Sequence, residues 1–259
     1  MPRSGPTGKR SSISSKAVGL VWTRPLAKRR VPLTREAIVA AAVSLADAEG
    51  LDSISIRRIA AQLLVRPMSV YSFAQIESKE DLFDLMIDTV CAQMLLTEGL
   101  PKDWREALRA TAVRSRAVLM RHPWWIDLLG RRVLIGPNAM RYREQTLAAV
   151  ADLHVDKGIR MAVVAAVETF TVGQAAFAVD RRGLSQKTDR AFAQWRGAVE
   201  TYQQALMATG DFPNLARAGN MEATSPEDLE KIFMLGLDWL LNGISTSLFG
   251  AQKTRRTDQ

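Results

Sequence analysis

From Thr34 onward the apolar residues recur every three or four positions, and that spacing predicts helices along almost the whole chain. Ile38, Ala41, Ala42, Leu45, Ala46 and Ala48 mark a first helix, with Thr34 as its N-cap and Gly50 as a left-handed stop. Ser55 caps a second helix whose Ile56, Ile59, Ala60 and Leu63 face one way. Pro67 takes the first position of a third short helix, where its missing N–H costs nothing, and Val70 is that helix's buried anchor. A fourth helix runs from about 78 to 97, capped by Ser78, with Leu82, Phe83, Met86, Ile87, Val90 and Met94 inside. Further helices are predicted near 103–121, 123–129, 138–153, 157–180, 188–208 and 226–249. The last opens on "SPED", a Ser cap followed by Pro and by Asp228 three residues on. No alternating run is long enough for a strand and no internal repeat is visible, so the expected fold is all-α.

Charge changes the picture at one end. Residues 1–35 hold nine Lys and Arg and no Asp or Glu, which leaves 26 basic against 27 acidic residues beyond them. The net charge of +8 therefore resides in this N-terminal block. Residues 1–33 are rich in Ser, Gly, Pro and basic residues without periodicity, so a basic disordered arm is expected there. Such arms either meet nucleic acid or are simply solvated. The expected organisation is this arm, a small helical head over 34–80, a larger helical body over 81–250 and a polar tail over 251–259.

The single cysteine, Cys91, excludes an intramolecular disulfide framework and suits a reducing cytoplasm. The two histidines, His122 and His154, lack carboxylate or thiol partners at metal-binding spacing, and neither a nucleophile–base arrangement nor a phosphate-cradling glycine loop is present. No cofactor, metal site or catalytic residue is expected. The N-terminus lacks a secretory core, "AVGLVW" being only six residues long.

One stretch carries functional information, "SIRRIAAQLLVRPMSVYSFA" over residues 55–74. Two short helices joined by about three residues have the dimensions of a helix-turn-helix, whose second helix enters the major groove. No acidic residue lies between positions 53 and 76, while Arg57, Arg58 and Arg66 do. A guanidinium can bond two acceptors of guanine and hydroxyls can hold phosphates, whereas a carboxylate there would be repelled by phosphates. The face expected is one that meets a polyanion.

The segment "LTREAIVAAAVSLADAEGLDSISIRRIAAQLLVRPMSVYSF" resembles the N-terminal DNA-binding domain of the tetracycline-repressor (TetR) family. "ADAEG" closes the first helix, "SIRRIAAQL" forms the second and "VRPMSVY" the third; the resemblance covers about 33–90. A weaker match, "FMLGLDWLLNGI" at 233–244, resembles the last helix of the family's regulatory domain. The resemblance implies homodimeric repressors released from double-stranded operator DNA by a small-molecule effector. It implies DNA contact by Arg57 from the second helix, by Arg66, Pro67, Met68 and Ser69 at the start of the recognition helix, by Tyr71 on the backbone and by Lys79 on a phosphate. Ser55, Arg58 and Ser72 complete the candidate interface. The chain departs from the family where a glycine is usual and Leu64 stands. A left-handed Leu64 would cost about 1–2 kcal/mol, so a looser or differently wound turn is expected. It departs again between Tyr71 and Lys79, which are two residues further apart than usual, and at Phe73, which replaces a common His or Tyr.

The remaining half is rich in large aromatics. Ligand pockets are mostly apolar with a few oriented polar groups, and Trp104, Trp124, Trp125, Phe170 and Gln174 are the candidates for an effector pocket. The run "MAVVAAVETFTVGQAAFAV" (161–179) is long enough to span a bilayer, but Glu168 and Gln174 interrupt it. It is read instead as a dimer interface pairing with the last helix through Val163, Val167, Ile232, Gly236, Leu237, Leu240 and Ile244, Gly236 permitting close approach. The function expected is a cytoplasmic, ligand-responsive transcriptional repressor. A helical carrier or scaffold without DNA activity is the main alternative, an all-α enzyme a weaker one, and activation in place of repression stays open.

Overall fold

Thr34 is extended (φ −120°, ψ 164°) and its hydroxyl accepts the amide of Ala37 at 3.1 Å, which opens α1 (Arg35–Glu49). Gly50 ends it with φ +80° but ψ 173°, so the stop is a positive-φ extended residue and not the left-handed turn expected from the sequence. Only glycine adopts that conformation cheaply, and it feeds a single 3-10 turn over Leu51–Ser53. α2 (Ile56–Leu63) starts on the Ser55 hydroxyl, which accepts the Arg58 amide. α3 (Pro67–Ala74) carries Pro67 in its first turn. α4 (Lys79–Met94) starts on a full capping box between Ser78 and Asp81. Asp81 Oδ2 also accepts the Glu77 amide at 2.8 Å, so the α3–α4 junction is hydrogen-bonded throughout.

The computed structural model describes residues 33–186, 190–218 and 225–257, and the basic arm lies outside them up to residue 32. From Thr34 onward the chain forms one unit. After α4 come α5 (Trp104–Arg121), α6 (Trp124–Leu128), α7 (Pro137–Ala148), α8 (Lys157–Gln186), α9 (Arg190–Ala208), α10 (Pro213–Ala218) and α11 (Pro226–Thr257). No strand occurs among the described residues, only an isolated bridge between Leu129 and Arg132. Several elements depart from expectation; α4 stops at Met94, short of 97, and α8 runs on past 180 to Gln186. α7 stops at Ala148 because the chain must turn to bury Val150 and Leu153. α11 continues to Thr257, into the stretch read as a polar tail, since no Gly or Pro follows Gly250 to break the helix. The short α10 has no apolar periodicity to announce it.

The head's core is Ile38, Ala42, Ile59, Ala60, Val70 and Ala74; Ala48, expected inside, is exposed, and Val39 and Val43 are buried instead. The body's core lies between α5, α8 and α11, where Leu108, Val163, Val167, Phe233, Leu237 and Leu241 interlock. Phe170 stacks on Phe233 with centroids 5.8 Å apart. Gly236 lies directly under Phe170, where a Cβ would sit 2.7 Å from Cζ, so the close approach this glycine permits is made within one protomer. On its other side α5 pairs with α11 through Arg105–Asn242, Arg109–Asp238 and Arg116–Glu230, and the Arg116 guanidinium lies 4.6 Å from the Phe233 ring centroid.

The turn of the helix-turn-helix is wound in the ordinary way despite its leucine. Leu64 adopts φ 56°, ψ 42°, and its amide bonds the carbonyls of Ala60 and Ala61. Its side chain is 74% exposed, so no burial offsets the strain. Leu64→Gly is therefore expected to raise stability by about 1 kcal/mol in urea denaturation. Gly236→Ala is expected to lower it by about 1–3 kcal/mol in the same measurement, since Phe170 must leave its rotamer.

Candidate nucleic-acid interface and internal cavity

The predicted residues of α2, α3 and the start of α4 are mostly accessible. Ser55, Arg57, Arg58, Arg66, Pro67, Met68, Ser72 and Lys79 are exposed, and Ser69 and Tyr71 are half-buried. Arg58 is engaged: its guanidinium grips the Glu49 carboxylate with two bonds, one of 2.9 Å, and this hydrogen bonding holds Glu49 below its ordinary carboxylate range. Arg57 and Arg66 make no ion pair among the described residues, so their fork-shaped donors remain available. The Ser72 hydroxyl donates back to the carbonyls of Met68 and Ser69, leaving it an acceptor only. Lys79 sits at the first position of α4 with its ammonium 5.2 Å from the Phe83 ring centroid. The C-terminus of α3 is tied to α1, Arg35 donating to the Ala74 carbonyl at 2.9 Å and to Gln75 Oε1 at 2.7 Å. Met68, Leu64 and Phe73 add exposed apolar surface beside the arginines.

The head joins the body through a polar node that no local signal announces, because its members are remote from one another. Asp47 Oδ1, on α1, accepts the Trp124 indole N–H at 2.7 Å and lies 2.7 Å from His122 Nδ1. His122 Nε2 lies 3.2 Å from Gln93 Oε1 on α4. His122 and Trp124 are almost wholly buried, so these groups depend on one another for satisfaction. α4 is tied in turn to α7: Asp88 accepts the amides of Asn138 and Ala139, and Gln145 exchanges two hydrogen bonds with Leu96.

A small cavity of about 10 Å³, room for at most one water, lies between α5, α7 and α8. Leu108, Ala112, Val164 and Val167 form its apolar wall, and Thr111, Tyr142, Thr146, Glu168 and Thr171 its polar one. Burial pushes the Glu168 carboxyl above the ordinary range, against the opposing pull of Arg143 and the Thr146 hydroxyl. Burial also raises the Tyr142 phenol, whose oxygen is 3.0 Å from Ser115 Oγ, and pushes the Cys91 thiol up to about 12. The residues named from aromatic content lie elsewhere. Trp104 and Phe170 pack against the α5–α8–α11 core, Trp124 and Trp125 are buried in α6, and Gln174 is half-buried on α8. The polar wall went unrecognised, although a carboxylate interrupting the apolar run of α8 was the available signal.

The face of α8 and α11 turned away from the core forms an open apolar groove. Val163, Leu240 and Ile244 line it together with Ile159, Ala166 and Trp239. Of the other residues read as a dimer interface, Val167 and Leu237 are buried in the protomer's own core, Gly236 is half-buried and Ile232 is exposed. Both helices are long and apolar enough to cross a membrane by length and composition, with mean hydropathy of 1.6 and 1.4. Among the described residues no cluster of His, Cys, Asp or Glu is placed to hold a metal ion.

A helix-turn-helix with a carboxylate-poor face, mounted on a helical body that encloses a polar cavity, defines a regulator of the DNA-binding class. Residues 99–248 match the family described as the tetracyclin repressor-like C-terminal domain, and the chain belongs to this TetR-like family. It is 31% identical over 252 residues to the HTH-type transcriptional repressor DrrR1 of Streptomyces coeruleorubidus, covering 93% of this chain and 91% of that one. It is 32% identical over 240 residues to an HTH-type transcriptional regulator of Saccharopolyspora erythraea, covering 92% and 96%. Among solved structures, the TetR family protein ActR of Streptomyces coelicolor in complex with actinorhodin superposes with a TM-score of 0.68 at 27% identity, over 85% of this chain and 99% of that one. Apo ActR gives 0.67 at 26% identity, over 86% and 100%.

Removing the shared acceptor of the head–body node strands two buried donors. Asp47→Ala is expected to destabilise the chain by about 1–3 kcal/mol in chemical denaturation. Exposed Asp52, mutated to Ala, is the control and is expected to change it by less than about 0.5 kcal/mol.

Proposed function

We propose that this chain is a cytoplasmic homodimeric repressor that holds a palindromic operator through α3 and leaves it when a small apolar or amphipathic effector binds. The observation that carries this reading is the pairing of family membership with two exposed guanidiniums, Arg57 and Arg66, that make no ion pair among the described residues, on a carboxylate-poor helix pair. Arg66 and Ser69 stand at the start of the recognition helix, where side chains reach base edges. Tyr71 and Lys79 flank it for the phosphate backbone, Ser72 having its proton engaged by the Met68 and Ser69 carbonyls, and the exposed Met68 suits a thymine methyl. Arg58 serves the head more than the DNA, since Glu49 already occupies it.

Two copies pair across the α8–α11 groove as a four-helix bundle, and the dimer sets its recognition helices about 34–36 Å apart, one turn of duplex. Ile159, Trp239, Leu240 and Ile244 supply the contact, while Val167 and Leu237 act from behind as core. The effector opens and then occupies the small cavity between α5, α7 and α8; the related ActR is known in complex with actinorhodin. An effector that binds a wider cavity better than the narrow one shifts the population by that difference in affinity and by nothing else. α7 carries the shift to α4 through Asp88 and Gln145, and α4 carries it to the head.

Footprinting on operator fragments selected from the source genome tests the reading. Arg57→Ala and Arg66→Ala are each expected to weaken specific binding by about 1–3 kcal/mol, and Arg58→Ala by less. A double Arg57→Ala, Arg66→Ala variant that protects the operator like the unaltered protein would remove the assignment.

A further inference from the structure

The recognition helix carries little that can hydrogen-bond a base. α3, "PMSVYSFA", contains no Arg, Lys, Asn or Gln, the side chains that bond two atoms of one base edge at once. Val70 and Ala74 are wholly buried, which fixes how the helix is turned. At about 100° per residue, Met68, Ser69 and Ser72 fall on the opposite side, with Phe73 on the flank beside Ser69. The Ser72 hydroxyl donates its proton to the Met68 and Ser69 carbonyls, and Ser69 is half-buried. Met68 and Phe73 are 74% and 56% exposed. Exposed apolar side chains scattered singly are ordinary. Here they are the main substance of the outward face of one short helix. The cations beside it are Arg57 on α2 and Arg66 at the N-cap of α3, neither in an ion pair among the described residues, and no carboxylate lies between positions 53 and 76. Two such faces would repel one another, so the cover this surface suits is a polyanion and not a second head.

We propose that α3 reads thymine: Met68 and Phe73 pack on 5-methyl groups in the major groove, while Arg57 and Arg66 supply the polar contacts. This rests on the reading of the head as an operator-binding surface. The 5-methyl of thymine is the apolar group that the bases present in that groove. Phosphate and sugar are the same at every position, so hydrocarbon laid on them carries no sequence information. Each methyl taken from water by a thioether or a phenyl ring contributes about fourfold in affinity. The half-site selected has thymines beneath the body of α3 and a guanine beneath Arg66.

Uracil differs from thymine by that methyl alone. Operator fragments selected from the source genome are synthesised with thymine or with uracil throughout the protected half-sites, and the full-length protein is titrated with each by fluorescence anisotropy at one salt concentration. With one contacted methyl in each half of a palindrome, uracil is expected to weaken binding about tenfold or more. The thymine-to-uracil ratio is expected to shrink in Met68→Ala and to fall toward one in the double Met68→Ala, Phe73→Ala variant, both checked for native helix content. Arg66→Ala is expected to bind both operators more weakly and to keep the ratio of the unaltered protein. Equal affinity for the two operators, half-sites without thymine, an undiminished ratio in the folded variants, or a Met68→Ala variant that differs in oligomeric state by sedimentation overturns the proposal. Operator protection without a thymine preference removes this inference alone, and absence of any protected operator removes the repressor reading.

Discussion

Helix α5 must satisfy three neighbours at once, and the rest of the body is arranged around that demand. Its small residues Ala107 and Ala112 let α8 approach, and its arginines reach α11. The residue that follows it, His122, enters the node on α1 and α4. One continuous helix therefore touches the cavity, the long helices and the root of the head. Seven residues separate Ser115, beside Tyr142, from His122, which is about 10 Å along the axis. The same short, regular segment borders both the cavity wall and the node.

What the sequence disclosed and what it hid divide by range. The caps at Thr34, Ser55, Ser78 and Ser225, and Pro67 at the start of α3, are local chemistry, and each helix start was legible from residues within four positions of it. The acid-free face of α2 and α3 was legible for the same reason. The fate of Arg58 was not, since Glu49 reaches it across the 3-10 turn. Asp47 and His122 meet across 75 residues, and Tyr142 and Glu168 meet because α7 packs on α8. Such meetings leave no trace in periodicity. Aromatic content misdirected attention for a related reason: a ring at helical spacing reports burial, and here burial means core. The long apolar helices posed the hardest case. Which side of α8 faces its own protomer is decided by the partner helices, so Ile159 and Ala166 border the open groove while Val163 and Val167 are buried in the core.

The two ends of the protein carry opposite electrostatic instructions. The head offers cations with no carboxylate between positions 53 and 76, and the small cavity of the body is lined by oxygens with no Lys, Arg or His among its lining residues. Each surface is defined as much by what is withheld as by what is present. Leu64 shows the cost accepted at the head: a strained backbone is retained with its side chain in solvent, while the hydrogen bonds of the turn stay intact.

The junction between α3 and α4 has a mechanical corollary. Ser78, Asp81 and the Glu77 amide close on one another, so the start of α4 has no loose turn in which torque could dissipate. Arg35 clamps the far end of α3 onto α1 in the same manner. A swing of α4 is thus handed to the recognition helix as rigid tilt, like a crank on its shaft, and not as melting. The head would leave its duplex folded and ready to return.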